Sequence, residues 1–180
     1  EPDHFMPVVR SELRLPQKGF PYGAVKARIL AEAVEARKAE TEMGLEEALR
    51  HYQTASELYE KYRSQFGLYW KKQREEKVPS RVAAVLDDVL KFCLVNLDAA
   101  ETLFSIYKIR RGYRDIEESH VRNQARSYFT NAFRLLAKYR DLKQGIAGTE
   151  MLMSKPGQYQ RLESQLLELV LVRLKDFHLS

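Results

Sequence analysis

Proline is almost absent from the long middle of this chain, and that scarcity constrains the fold more than any other feature. Four of the six prolines (Pro2, Pro7, Pro16 and Pro21) crowd into the first 22 residues, which leaves only Pro79 and Pro156 beyond them. A proline inside a helix removes a backbone donor and clashes with the preceding turn, so a stretch this poor in it can sustain long helices. The eight glycines are scattered singly and add few further breaks. No segment shows the two-residue alternation, bounded by turns, that marks a strand. The expected fold is all-α: four to five long antiparallel helices, as a bundle or as stacked helical hairpins, with an extended N-terminal arm.

Residues 1–22 form the Pro-rich arm, which has no sustained periodicity and is ordered only where something holds it. Phe5, Met6, Val8, Val9 and Phe20 give it apolar surface to dock with, either on its own domain or on a partner. Residues 23–180 read as one all-helical domain. Gly23 to Met43 is rich in strong helix formers, and Gly44 then punctuates as a turn or a bend. From Leu45 to about Gln65, apolar residues at Leu45, Ala48, Leu49, Tyr52, Ala55, Tyr59 and Tyr62 share one helical face. Residues 66–79 read as a polar connection carrying Tyr69 and Trp70, with Ser80 as N-cap of the next helix. That helix repeats Val82, Leu86, Val89, Cys93, Leu97, Ala100, Phe104 and Tyr107, has further apolar flanks, and ends at Gly112; it is the helix expected to be most buried. A fourth, from about Arg114 to Lys143, keeps a heptad-like beat through Val121, Ala125, Tyr128, Ala132, Leu135, Tyr139 and Leu142. A short helical piece between Gly145 and Pro156-Gly157, then a last helix over Tyr159–Phe177, completes the pattern.

A chain of 180 residues, 44% hydrophobic and 31% charged, can bury a core without disulfides or metals. Its net charge of +5 permits attraction to anionic partners without establishing nucleic-acid binding. No apolar run approaches the roughly 20 residues that span a bilayer, and one such as Leu169 to Val172 is far too short, so no membrane span is expected. A lone cysteine, Cys93, excludes an internal disulfide framework and suits a reducing compartment, either the cytoplasm or a mitochondrial matrix. The first residues, Glu1-Pro2, are compatible with a removed targeting presequence.

Catalytic signatures fail one by one. No glycine-rich phosphate loop, G-x-S-x-G elbow or H-E-x-x-H pair is present, and His4, His51, His120 and His178 share no ligand spacing. Cys93 sits in an apolar stripe, which favours an inert buried thiol. Glu117 and His120 form a single Glu-x-x-His pair where a di-metal bundle needs two. Asp87 and Asp88 are adjacent, point in different directions on a helix, and read as a solvated face. No cofactor, metal or small-molecule substrate is expected.

The spacing Ala-x3-aromatic-x2-Ala occurs at Ala48, Tyr52 and Ala55 and again at Ala125, Phe129 and Ala132, with a variant at Ala100, Phe104 and Tyr107. These triplets resemble the second helix of tetratricopeptide- and pentatricopeptide-type repeats. The first-helix Trp, Leu-Gly and Tyr pattern of that family is missing, as is its closing proline. The resemblance implies stacked helical hairpins that bind protein or RNA.

Two clusters of cations beside aromatic rings are the candidate contact sites: Tyr69, Trp70, Lys71, Lys72 and Arg74, and Tyr107, Lys108, Arg110, Arg111, Tyr113 and Arg114. Phe5 and Phe20 join them from the arm. Such groups suit phosphate contacts, base stacking or an acidic protein surface, although cations also complement the carbonyls of a helix C-terminus. The leading expectation is a non-catalytic subunit held against other protein chains in a larger assembly, for instance a mitochondrial respiratory-chain or ATP synthase complex. On that reading, replacing Trp70, or Arg110 with Arg111, weakens partner binding and leaves the fold intact. The alternatives are an RNA-binding helical-repeat protein and a metal-carrying bundle or unrecognised enzyme.

Overall fold

The computed structural model describes residues 19–110 and 118–173. These form α1 (Tyr22–Thr41), α2 (Leu45–Glu75), α3 (Pro79–Arg110), α4 (Glu118–Lys143), a 3-10 turn (Thr149–Leu152) and α5 (Gln158–Glu168), which runs on into a π-helical turn (Leu169–Arg173). The protein is all-α, with no strand among the described residues. None of these helices is long and apolar enough to cross a membrane. Residues 1–18, which include Phe5, lie outside the described residues, as do residues 111–117 and the end of the expected last helix.

From α1 to α4, consecutive helices run antiparallel. Glu32 on α1 meets His51 on α2, Phe66 and Trp70 on α2 meet Phe92 on α3, and the Cys93 thiol of α3 lies 3.8 Å from the Ala132 carbonyl of α4. The two hairpins, α1/α2 and α3/α4, then stack in parallel register. Lys26 and Arg37 of α1 pair with Asp88 and Asp98 of α3, while α2 lies beside α4. Val82, Leu86, Val89, Cys93, Leu97 and Ala100 are all buried, so α3 holds the centre as its apolar width implies. The stripe of α4 from Val121 to Leu142 is buried throughout. Ala48, Tyr52 and Ala55, and likewise Ala125, Phe129 and Ala132, are buried at helix contacts, where the small residues allow close approach.

Several boundaries differ from the sequence expectation for identifiable reasons. Gly44 does mark a true break, but the left-handed residue there is Met43, at φ 63°. The Gly44 N–H returns to the Ala39 carbonyl at 2.8 Å and the Met43 N–H to Glu40 at 3.0 Å, which closes α1 in a Schellman turn. A side chain at Gly44 would meet the Ala39 carbonyl at 3.4 Å, an ordinary contact, and its φ of −90° is open to other residues. The segment 66–79, expected as a connection, is mostly helix. Phe66 and Trp70 carry the buried face of Tyr59 and Tyr62 two turns further, and α2 stops only at Glu75. Lys77, at φ 55°, makes the turn, and Pro79 opens α3 where its missing N–H costs nothing. Ser80 therefore sits inside the first turn of α3 and does not cap it; the Val78 carbonyl accepts the N–H of Val82 at 3.0 Å.

Phe20 and Tyr22 anchor the N-terminal end of α1. Phe20, expected as a docking residue of the arm, packs instead on Tyr62 and Phe66 with ring centres 5.6 and 5.1 Å away. The Tyr22 hydroxyl donates to Asp88 and accepts the indole N–H of Trp70 at 3.0 Å. Asp88, which Lys26 also approaches at 3.2 Å, is buried and does not belong to a solvated face. Asp87 accepts the backbone N–H of Ser154 at 3.1 Å and so ties α3 to the segment before α5. Deeper in the core, Ser56, Asn96 and Asn131 join α2, α3 and α4: Ser56 donates to Asn96 at 3.1 Å and the Asn131 amide reaches both. These shared bonds offset much of the cost of burying three polar groups, although the Asn131 amide oxygen is left without a partner, and they fix the axial register of the three helices.

Asp98 carries the fold's clearest pH dependence. Burial pushes its carboxyl up to about 7, against the opposing pull of Arg37 and helped by Glu40 and Glu101. The folded state therefore holds this proton more tightly than the unfolded chain, where a carboxyl titrates near about 4. Its contribution to stability is full below about pH 4 and is lost as the pH rises through about 7. Asp98→Asn, which mimics the neutral acid, is expected to raise the unfolding midpoint at pH 8 and to change it little at pH 4. Thermal melts of both proteins at the two pH values test this; an equal shift at both would contradict it.

Candidate partner-binding groove

The α2–α4 pair is fastened at two levels and open between them. At one level Asn131 of α4 reaches Ser56 of α2 inside the core. At the other, the Arg74 guanidinium of α2 donates to the Gln144 carbonyl just past α4, at 2.6 Å. Between these ties lies a groove of about 780 Å³. Gly67 and Ala137 line it from opposite sides, and their lack of bulk leaves the trough open. No atom lies within 4 Å of where a Gly67 side chain would begin.

Both walls of the groove are basic. Arg63 and Lys71 rise from α2, Arg134 and Lys138 from α4, against a single carboxylate, Asp141. The spacings explain why: Arg63, Gly67 and Lys71 recur every four residues along one face of α2, as Arg134 and Lys138 do on α4. Among the described residues none of these four cations forms an ion pair, whereas Lys26, Arg37, Arg81 and Lys143 each have a carboxylate partner. Apolar side chains line the groove as well: Tyr59 and Trp70, which are buried, and Leu68, which is 70% exposed. Burial pushes the Tyr59 phenol up to about 12, and the positive fields of Arg63 and Arg134, one from each wall, act to pull it back.

The described parts of the two clusters expected from sequence do not meet. The first lies near the C-terminal end of α2, the second at the far end of α3, where Ile106 and Ile109 face the α1–α2 turn. Within the first, only Trp70 and Lys71 line the groove. Trp70 is 1% exposed, so it belongs to the core and cannot serve as an open stacking platform. Tyr69 is half-buried, with its ring stacked on Tyr22 at 3.9 Å. Lys72 is exposed outside the groove, and Arg74 is spent on Gln144. In the second cluster, Tyr107 packs against the core and Lys108 is exposed; Arg110 ends α3, and Arg111, Tyr113 and Arg114 lie outside the described residues. The Glu117–His120 pair falls partly outside them too, with His120 exposed. Among the described residues no three His, Cys, Asp or Glu side chains stand close enough to hold a metal. Cys93 is buried, and burial pushes its thiol up to about 12.

Sequence reasoning missed Arg63, Arg134 and Lys138. Ending the second helix near Gln65 separated Arg63 from Lys71, and nothing local signals that α2 will lie beside α4. Neither a family model, nor a curated protein, nor a solved structure matches the chain.

Proposed function

We propose that this protein is a non-catalytic interaction subunit of a larger macromolecular assembly, and that the α2–α4 groove receives an acidic part of a neighbouring protein chain. The observation that carries this reading is the set of four unneutralised cations that line both sides of a trough together with apolar side chains. Such a trough offers an occupant both a desolvated apolar contact and complementary charge, the combination that gives interfaces affinity and register. Nucleic acid is the weaker candidate. Base stacking needs open ring faces, and here Trp70 and Tyr59 are buried while Tyr69 is covered by Tyr22. The resemblance of the Ala-x3-aromatic-x2-Ala triplets to helical-hairpin repeats, if it reflects kinship, implies a binding surface of this general kind.

The test is capture from the native source by the tagged chain and by its Arg63→Glu/Arg134→Glu variant, each with and without RNase. A set of proteins that survives RNase and is lost from the variant supports the reading. Capture that the variant retains in full, or that RNase abolishes, counts against it.

A further inference from the structure

The basic groove is not the whole of the α2–α4 furrow. A second cavity, of about 160 Å³, lies in file with it along the same two helices, lined by Gln53, Ser56, Glu57, Glu60, Gln124, Ser127 and Tyr128. Here the two charges, Glu57 and Glu60, are both negative and both exposed. The furrow thus changes sign along its length, from carboxylates at one end to Arg63, Lys71, Arg134 and Lys138 at the other. From Gln53 to Lys71 it follows about five turns of α2, or roughly 27 Å at about 1.5 Å per residue.

Resting on the reading that this groove binds a macromolecule, we infer that its occupant is an amphipathic helix of about five turns with divided charge, acidic over the Arg63–Lys138 end and basic over the Glu57–Glu60 end. Three features select that chemistry. A trough between two parallel helices is the shape in which a third helix lies, with apolar residues one turn apart directed into it. Leu68 and Ala137, both exposed in the groove, supply the apolar contact. The change of sign then penalises any occupant of uniform charge. A nucleic-acid strand carries a phosphate at every nucleotide and would set several of them against Glu57 and Glu60. A uniformly acidic helix suffers the same repulsion, whereas a charge-divided one gains at both ends.

Fluorescence anisotropy with defined probes tests the inference. Four labelled probes are compared: two 18-residue helical peptides sharing one leucine stripe, with glutamates in one half and lysines in the other, in either order; a peptide with the same stripe and glutamates throughout; and a 15-nucleotide oligouridine. One of the two divided peptides is expected to bind at least tenfold more tightly than the uniformly acidic peptide. In the Glu57→Lys/Glu60→Lys variant, whose changes fall on exposed side chains, that preference is expected to invert. Equal or tighter binding of the uniformly acidic peptide to the unaltered protein would overturn the divided-charge inference. Tightest binding of oligouridine would overturn the helix as occupant. Failure of all four probes would also sink the inference, while the capture experiment still decides whether the groove is an interface.

Discussion

Truncating Trp70 to alanine is expected to destabilise the protein by about 3–5 kcal/mol, the range for removing a buried aromatic side chain from a close-packed core. The indole is 1% exposed and packs against Phe66 and Phe92 with ring centres 5.5 and 5.9 Å away. Its N–H also satisfies the Tyr22 hydroxyl that reaches Asp88, so its loss loosens the joint between α1, α2 and α3 together. For a chain of this length the change corresponds to a fall of roughly 10 °C in the unfolding midpoint. Trp70→Phe keeps most of the packing and gives up the hydrogen bond, and is expected to cost about 1–2 kcal/mol. Calorimetry measures both. An alanine variant that melts within about 2 °C of the parent would show that the aromatic joint is not the structural centre described above. Trp70→Ala is therefore a poor probe of partner binding, contrary to what its basic neighbours imply in the sequence.

Reversing Arg63 and Arg134 to glutamate has the opposite profile: a large effect on binding and almost none on folding. Neither side chain has an ion-pair partner among the described residues, and both are exposed, so the native fold loses little. An exposed ion pair is worth about 0.2–1 kcal/mol, and reversal replaces attraction by repulsion, so two reversals in one trough cost on the order of 1–4 kcal/mol of binding. That is a loss of about 5- to 1,000-fold in affinity. Lys72→Glu makes the same kind of charge change one residue outside the groove and is expected to stay within about threefold of the parent. If Lys72→Glu weakened partner binding as much as the double reversal, net charge would be responsible and the groove would lose its special place.

How much of this was legible in the sequence depends on how local each feature is. The stripe of α4 from Val121 to Leu142 is a repeating pattern within one helix, and its buried face follows directly. The reach of α2 to Glu75 was also encoded, in the steps from Tyr59 to Tyr62, Phe66 and Trp70, but Gly67 and the charges from Lys71 onward imitate a linker. Asp87 and Asp88 show the opposite limit. Adjacency in sequence says that they diverge, and only the stacking of α1 on α3 decides that Asp88 is buried against Tyr22 and Lys26. The groove lies beyond local reading altogether. Arg63 and Lys71 share a helix face, as do Arg134 and Lys138, yet their joint field exists only because the Ser56–Asn96–Asn131 network and the Arg74–Gln144 tie hold α2 alongside α4.

The most direct test of the groove as an interface is photo-crosslinking in the native source, with a photoreactive amino acid placed at Leu68 in the groove and, as a control, at Val34 on the exposed side of α1. Both positions are open, at 70% and 58% exposure, so accessibility alone does not separate them. A discrete protein adduct at Leu68 that is absent at Val34 and lost in the Arg63→Glu/Arg134→Glu background is the predicted result. Equal adducts at both positions, adducts to RNA, or none at Leu68 would contradict the account.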